Sequence, residues 1–278
     1  MSKVFFLTGS SRGLGRQIAE AALADGHRLV ATARQPASLA DLAERYGGRI
    51  LPVALDVTDL DAATAAVAAG VEAFGQLDVV VNNAGYANLA AIEDVTPEDF
   101  REQIDANLLG VVNVTKAALP VLRAQGGGHI IQVSSIGGVQ AFPTLGLYHA
   151  SKWALEGLSQ SLAAEVQDLG IKVTLVEPTG YETDWGGGSS VQATKLPFYD
   201  DVRAKLAKIF GSVRGTRGNP LATGPTILKV VDAEHPPLRI FFGAGPLDIT
   251  KDEYAKRIAA WEKWNDLSIA AHGKPDAK

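Results

Sequence analysis

Seven short apolar runs recur along the chain of 278 residues, each followed by a longer stretch of helical pattern. They read KVFFLT (3–8), HRLVATA (27–33), RILPVAL (49–55), LDVVVN (77–82), HIIQVS (129–134), KVTLVE (172–177) and RIFFG (239–243). Short runs rich in apolar and β-branched residues, with little polar alternation, suit strands buried on both faces. Ala- and Leu-rich segments between them, such as GRQIAEAALADG, are long enough to be crossover helices. Strands and helices alternating in this way predict an α/β protein: a doubly wound, seven-stranded parallel sheet (a Rossmann fold) with helices on both faces.

No Pro/Ser-rich linker, repeat or low-complexity block divides residues 1–278, so one domain is expected. Its exception is a helical lid insertion over about 185–218, where the glycine-rich hinges WGGGSS and GSVRGTRG flank the amphipathic LPFYDDVRAKLAKIF. Beyond the last strand, Tyr254, Ile258, Trp261 and Leu267 recur at near-helical spacing. They predict a final helix over about 250–270 that docks on the body. The apolar fraction of 46% is ample for a packed core, and a net charge of −5 gives no electrostatic case for nucleic acid or an anionic membrane. There is no Cys, hence no disulfide and no thiolate chemistry. The first apolar run, VFFL, is too short for a signal-peptide core, and nothing later reaches a membrane span of roughly 18 residues. A cytoplasmic protein with small-molecule partners is the expectation.

Thr8 to Gly15, TGSSRGLG, follows the first strand directly and opens the first helix. At that position glycines such as Gly9, Gly13 and Gly15 let the backbone approach a pyrophosphate, and the helix N-terminus offers it free N–H groups. The alternative is a glycine-rich turn with no ligand. No Gly-Lys-Ser/Thr follows, so a nucleoside-triphosphate P-loop is excluded. At the end of the second strand, an acidic residue favours NAD and an arginine favours NADP. Here the residue is Arg34, about 20 positions beyond Gly15, and Arg12 lies inside the glycine loop. Each alone reads as surface charge; together they point to NADP(H). Asp56 closes the third strand, where its carboxylate can accept from an adenine amino group or merely cap the next helix.

The carboxyl ends of the fourth, fifth and sixth strands read NNAG (82–85), SSIGG (134–138) and EPTGYET (177–183), and YHASK (148–152) follows the second of these. In doubly wound sheets ligands bind at strand carboxyl ends. Tyr148 and Lys152, four apart, share one face of a helix. A phenol ordinarily titrates near ~10, and a neighbouring ammonium lowers that value toward the working range of an acid–base group. With the turn TGSSRGLG, these motifs stand in the order found in short-chain dehydrogenases/reductases, and the chain resembles that family from residue 3 to about 245.

The resemblance implies catalytic roles for Asn107, Ser135, Tyr148 and Lys152. Ser135 is chosen over Ser134 by its spacing from Tyr148, and Asn107 would secure a water linking Lys152 to solvent. It also implies that NADP(H) meets Ser11, Arg12 and Leu14 beside the three glycines, Arg34, Asp56 and Val57 at the adenosine, and Asn82, Ala84, Gly85, Tyr148, Lys152, Pro178 and Thr183 toward the nicotinamide. Relatives often pair through the helices holding Asn107 and Tyr148, so a homodimer is implied as well. One departure is Thr179, where the family commonly has Gly after Pro. The five His are scattered singly, and no metal is expected.

The reading that follows is an oxidoreductase acting on a ketone, aldehyde or secondary alcohol. Phe142, Tyr86, Tyr181, Trp185, Phe198 and Phe210 suggest a bulky apolar substrate or else pack the lid. Lys195, Arg203, Lys205, Lys208, Arg214 and Arg217 suggest an anionic carrier-bound or coenzyme A-linked thioester or else form a solvated face. A non-catalytic NADP(H)-sensing regulator is the alternative from another class.

Overall fold

A computed structural model describes residues 2–183, 195–212 and 217–273. All seven expected strands are present: β1 (Val4–Leu7), β2 (Arg28–Ala33), β3 (Ile50–Ala54), β4 (Val79–Asn82), β5 (Gly128–Val133), β6 (Ile171–Pro178) and β7 (Arg239–Phe242). They form one sheet in the order β3-β2-β1-β4-β5-β6-β7, and every pairing is parallel. The order reverses between β1 and β4, which opens a crevice at their carboxyl ends.

Alternate side chains of the central strands feed two cores. Phe5 and Leu7 pack with Ile18, Ala22 and Leu23 of α1 (Gly13–Ala24) and Ile227 and Val230 of α8 (Thr223–Asp232). Val4 and Phe6 pack on the other face with Val67 of α3 (Leu60–Phe74), Val114 and Leu122 of α5 (Gly110–Gln125) and Leu162 of α6 (Gly146–Val166). Phe5, Phe6 and Leu7 are each 0% exposed. Burying side chains of that size contributes about 1.5–3 kcal/mol apiece, which makes β1 the rigid spine that ends at the glycine turn.

Local chemistry sets the helix boundaries near the crevice. Asp59 caps α3 by accepting from the Ala62 N–H, so Asp56 is not the cap. Thr96 and Asp99 form a reciprocal capping box at α4 (Pro97–Ile104), whose first residue is a proline. Between α4 and α5 the helix widens into a π turn, Asp105–Leu109, a distortion common at functional sites, and Asn107 lies in its centre.

The helix expected within the insertion is present as α7 (Asp200–Ser212); Trp185, Arg214, residues 185–190 and 213–216 of the expected hinges, and the side chain of Phe210 lie outside the described residues. The C-terminal expectation needs correction. That segment forms α9 (Pro246–Lys263) and α10 (Asn265–His272), but the helices do not dock along their apolar stripe. Trp261 is 66% and Leu267 62% exposed. The helical body touches the rest of the chain through buried Pro246 and through Arg257, whose guanidinium stacks 4.9 Å over Trp153 of α6. Regular apolar spacing specifies a face, not what that face meets.

Candidate active site

The turn after β1 is built to let something approach. Gly9 has φ +67°, and a Cβ there would lie 3.1 Å from the Ala84 Cα; one on Gly15 would lie 2.2 Å from the Gly9 carbonyl oxygen. Gly13 also has positive φ (+58°), but a Cβ there would meet nothing within 4 Å, so the loop faces open space. No side chain caps α1 and no acidic residue stands in its first turn, which leaves its N–H groups available to an anion. Ser11 and Leu14 are half-buried in this loop. Two neighbours unassigned from sequence hold it in place. Thr8 Oγ1 accepts from the N–H groups of Asn83 (2.9 Å) and Ala84 (3.0 Å), and Asn83 Nδ2 donates to the carbonyls of Thr8 (3.0 Å) and Gly9 (3.1 Å). Asn82 points the other way, buried and donating to Thr115 Oγ1 and Gln132 Oε1, so its side chain braces the sheet.

At the adenosine end Arg12 and Arg34 are both exposed, and neither forms an ion pair with the described residues. Asp56 accepts from the N–H (3.0 Å) and hydroxyl (2.8 Å) of Thr58. Those bonds, with a smaller pull from Arg34, hold its carboxyl below the usual carboxylate range. Val57 is half-buried beside Gly110 of α5. The bare loop and the uncapped helix end fit the pyrophosphate of a dinucleotide.

The reactive end draws on β5, α6 and the π turn. Ser135 Oγ accepts from the Gly137 N–H at 2.9 Å, and the Ser135 hydroxyl lies beside the Tyr148 phenol, favouring its ionised form. Lys152, 5% exposed, donates to the Val133 carbonyl at 2.8 Å, with its Nζ 5.8 Å from the Tyr148 ring centroid. Burial pushes the Lys152 ammonium down to about 8, opposed by Glu156, and pushes the Tyr148 phenol up to about 12, opposed by its bond to Ser135. The expected lowering of Tyr148 by Lys152 is therefore not seen: burial raises the phenol, and the ammonium is turned onto the Val133 carbonyl.

Asn107 is fully buried. Its Oδ1 accepts from the Tyr86 N–H (3.0 Å), and its Nδ2 donates to the Tyr86 carbonyl (2.8 Å) and to Ser151 Oγ (3.0 Å). Both amide hydrogens are thus committed within the chain. Ser151 in turn donates to the Tyr148 carbonyl at 2.8 Å, tying the π turn to α6. Gly85 is the hinge of this cluster, since a Cβ there would meet Asn107 Oδ1 at 2.9 Å and Lys152 Nζ at 3.9 Å. His149, assigned no role from its place in the sequence, braces the segment after Ser135: its Nδ1 donates to the Gly137 carbonyl (2.8 Å) and its Nε2 accepts from the Phe142 N–H (2.8 Å). That pair of partners specifies the neutral ring, and burial lowers its pKa accordingly.

Pro178 is buried at the end of β6, and Thr183 is half-buried beyond it. Thr179 replaces the flexibility of the usual glycine with an anchor: its N–H (2.9 Å) and hydroxyl (3.2 Å) both donate to the Phe242 carbonyl. The room is provided across the strand pair, where a Cβ on Gly243 would come within 2.0 Å of the Thr179 hydroxyl. Around Tyr148, the side chains of Ala87, Leu145, Leu89 and Phe142 form an apolar wall. Tyr181 is half-buried against Gly218, whereas Phe198 is 85% exposed.

The helix α7 and the segment before it are strapped down by a buried carboxylate. Asp94 accepts from the Arg203 guanidinium, the Leu196 N–H (2.8 Å) and the Ala91 N–H (3.1 Å), and the Tyr199 hydroxyl donates to Glu93 (2.6 Å). Arg203 is also held by Asp200, so it is not free for an anionic ligand; Lys195, Lys205, Lys208 and Arg217 are exposed. Among the described residues no His/Asp/Glu group could hold a metal, and no helix is long and apolar enough to cross a membrane.

Comparison with known proteins agrees with this geometry. The family model described as short chain dehydrogenase matches residues 3–192. The oxidoreductase BOA17 of Botryotinia fuckeliana is 46% identical over 273 residues, covering 98% of this chain and 100% of that one. Among solved structures, a short-chain dehydrogenase from Streptomyces avermitilis superposes with a TM-score of 0.90 at 34% identity, covering 97% of this chain and 99% of that one. An alcohol dehydrogenase from Thermococcus sibiricus, complexed with 5-hydroxy-NADP, gives 0.73 at 26% identity, covering 88% and 97%. Crevice, motif order and relatives agree: the chain is an oxidoreductase of the short-chain dehydrogenase/reductase family.

Proposed function

We propose that the protein transfers hydride between NADP(H) and a bulky, apolar ketone, aldehyde or secondary alcohol, with Tyr148 as the acid–base group. The observation that carries this reading is Tyr148, buried beside Ser135 and the equally buried Lys152 and walled by Ala87, Leu89, Leu145 and Phe142. The nicotinamide, when bound, supplies or accepts the hydride. Ser135 holds the substrate oxygen, and Tyr148 gives that oxygen a proton in reduction or takes it in oxidation. Lys152 supplies positive charge to the phenol once its ammonium faces the site. The Asn107 side chain is spent on Tyr86 and Ser151, so any water it helps to hold is held through its main chain. The apolar wall favours an uncharged substrate over a carrier-bound thioester, and the commitment of Arg203 to Asp94 and Asp200 removes one cation from the rival reading.

NADP(H) is favoured over NAD(H) by Arg12 and Arg34, whose unpaired guanidinium groups suit a 2′-phosphate; the Thermococcus sibiricus relative with its NADP derivative supports the same choice. A panel of ketones, aldehydes and alcohols assayed with both cofactors tests the reading. NADPH should lead by at least about tenfold in kcat/KM, since each charge-assisted bond contributes about 1.5–3 kcal/mol before salt screening. Arg34→Asp should reverse the order. Wild-type activity with NADH equal to that with NADPH would overturn the preference.

A further inference from the structure

Behind the site, three elements converge on two buried carboxyl groups that the proposed chemistry does not use. Glu156 lies on α6 one turn beyond Lys152 and is 6% exposed. Glu177, next to last in β6, is 1% exposed. Arg239, the first residue of β7, joins them: its Nε donates to Glu156 Oε2 at 2.8 Å and lies 3.7 Å from Glu177 Oε1, while its Nη2 donates to Gln160 at 2.9 Å. Ser134, from the end of β5, and Glu156 Oε1 flank the same bare glycine, where a Cβ on Gly138 would lie 2.7 Å from the Ser134 hydroxyl and 3.2 Å from Glu156 Oε1.

Two negative charges facing one guanidinium in so dry a place are hard to sustain. Each carboxyl also has an Oε1 with no protein donor within the described residues. Both difficulties are relieved by one proton: a carboxyl and a carboxylate in contact form a strong hydrogen bond, whereas two carboxylates repel. Burial, then the adjacent Glu156, push the Glu177 carboxyl up to about 8 against the pull of Arg239, in keeping with a shared proton at neutral pH. What remains is a single negative charge placed one helical turn from Lys152, and Glu156 is the group that opposes the loss of the Lys152 charge on burial.

We propose that Glu156 and Glu177 share one proton, clamped by Arg239, and that the single negative charge of this pair keeps Lys152 a cation; both are positioning residues for the acid–base machinery. The idea rests on the hydride-transfer reading only for its consequence in turnover. Among the described residues, the charged groups against the pair are Lys152, one turn back on the helix of Glu156, and Arg239 on β7; Ser134 and Gln160 beside it are uncharged. Removing the negative charge of the pair lowers the titration of Lys152, so a pH limb governed by Lys152 moves to lower pH in either reaction direction.

The test uses the full chain with 13C-labelled glutamate and lysine side chains, titrated by NMR. One carboxyl should titrate near pH 8 in the wild type, and this resonance should vanish in Glu177→Gln. Glu156→Gln combined with Glu177→Gln, which removes the charge of the pair altogether, should move the Lys152 midpoint down by about one pH unit. If that variant does not fold, Glu177→Gln serves instead: above pH 8 the wild type gains a second negative charge that the variant lacks, so the Lys152 midpoint should lie lower in the variant. Where turnover is measurable, the pH profile of kcat should shift in the same direction. All carboxyls titrating in the ordinary range would overturn the shared proton. A Lys152 midpoint indifferent to both substitutions would overturn the positioning role. Neither NMR result depends on turnover, so failure of the hydride-transfer reading is seen separately, as absence of activity in the substrate panel.

Discussion

His149 stands beside the candidate acid–base tyrosine yet turns its ring to the backbone. Donating to the Gly137 carbonyl and accepting from the Phe142 N–H, it ties down the segment that carries Ser135. His149→Ala leaves both buried backbone groups without that partner, at a cost of about 1–3 kcal/mol each. A loss of roughly 2–4 kcal/mol in denaturant unfolding at pH 7.5 is expected. The pH dependence has a definite sign. Burial lowers the folded pKa of His149 below its unfolded value, so its contribution is present above about pH 6.5 and is lost as pH falls through the folded value. The gap between wild type and variant should therefore narrow at pH 5, and an unchanged gap would mean that the ring is not held neutral. The candidate set itself was legible in the sequence because each member stands in a motif of fixed spacing. The supports were not: His149, Asn83 and Ser151 act through main-chain partners, and such contacts leave no mark on spacing.

At the scale of elements, the lid shows what periodicity can and cannot tell. A helix between 196 and 210 was legible from its apolar spacing, and α7 is there. Its strap was not, because Asp94 and Arg203 are brought together only by the fold. Three donors converge on the buried Asp94 carboxylate, led by the Leu196 N–H and followed by Arg203, and hold it below the usual carboxylate range. Asp94→Ala should free α7 from the loop before α4. We expect faster proteolysis within 195–212 and a KM for bulky apolar substrates raised severalfold, with small substrates little affected. Equal KM changes for large and small substrates would make the strap structural only. The same limit explains α9, whose apolar stripe was read correctly as helical but was expected to dock; the face is open in this chain.

At the scale of the whole molecule, the seven-stranded parallel sheet covered on both faces was readable because apolar β-branched runs between helices permit few other arrangements, whereas its strand order came only with the fold. The cofactor crevice then follows from topology rather than from any one residue. Stability should reside in this sheet. Since α10 buries no residue, truncation after Lys263 should change Tm by no more than about 2 °C, within the range of surface changes. A drop of 10 °C would show that α10 is packed in solution, against the chain or a second copy.

The central claim is that this crevice performs hydride transfer with Tyr148 as its proton donor and acceptor. It is tested most directly by Tyr148→Phe, with kcat measured on the best substrate of the panel and the Kd for NADPH measured in parallel. The ring stays and only the hydroxyl is lost, so the variant keeps its packing against Leu145 and Phe142. The account predicts that kcat falls at least about a thousandfold while Kd changes by less than about threefold, because the proton is lost and the phosphate contacts are not. A variant retaining kcat within tenfold of the wild type would contradict it.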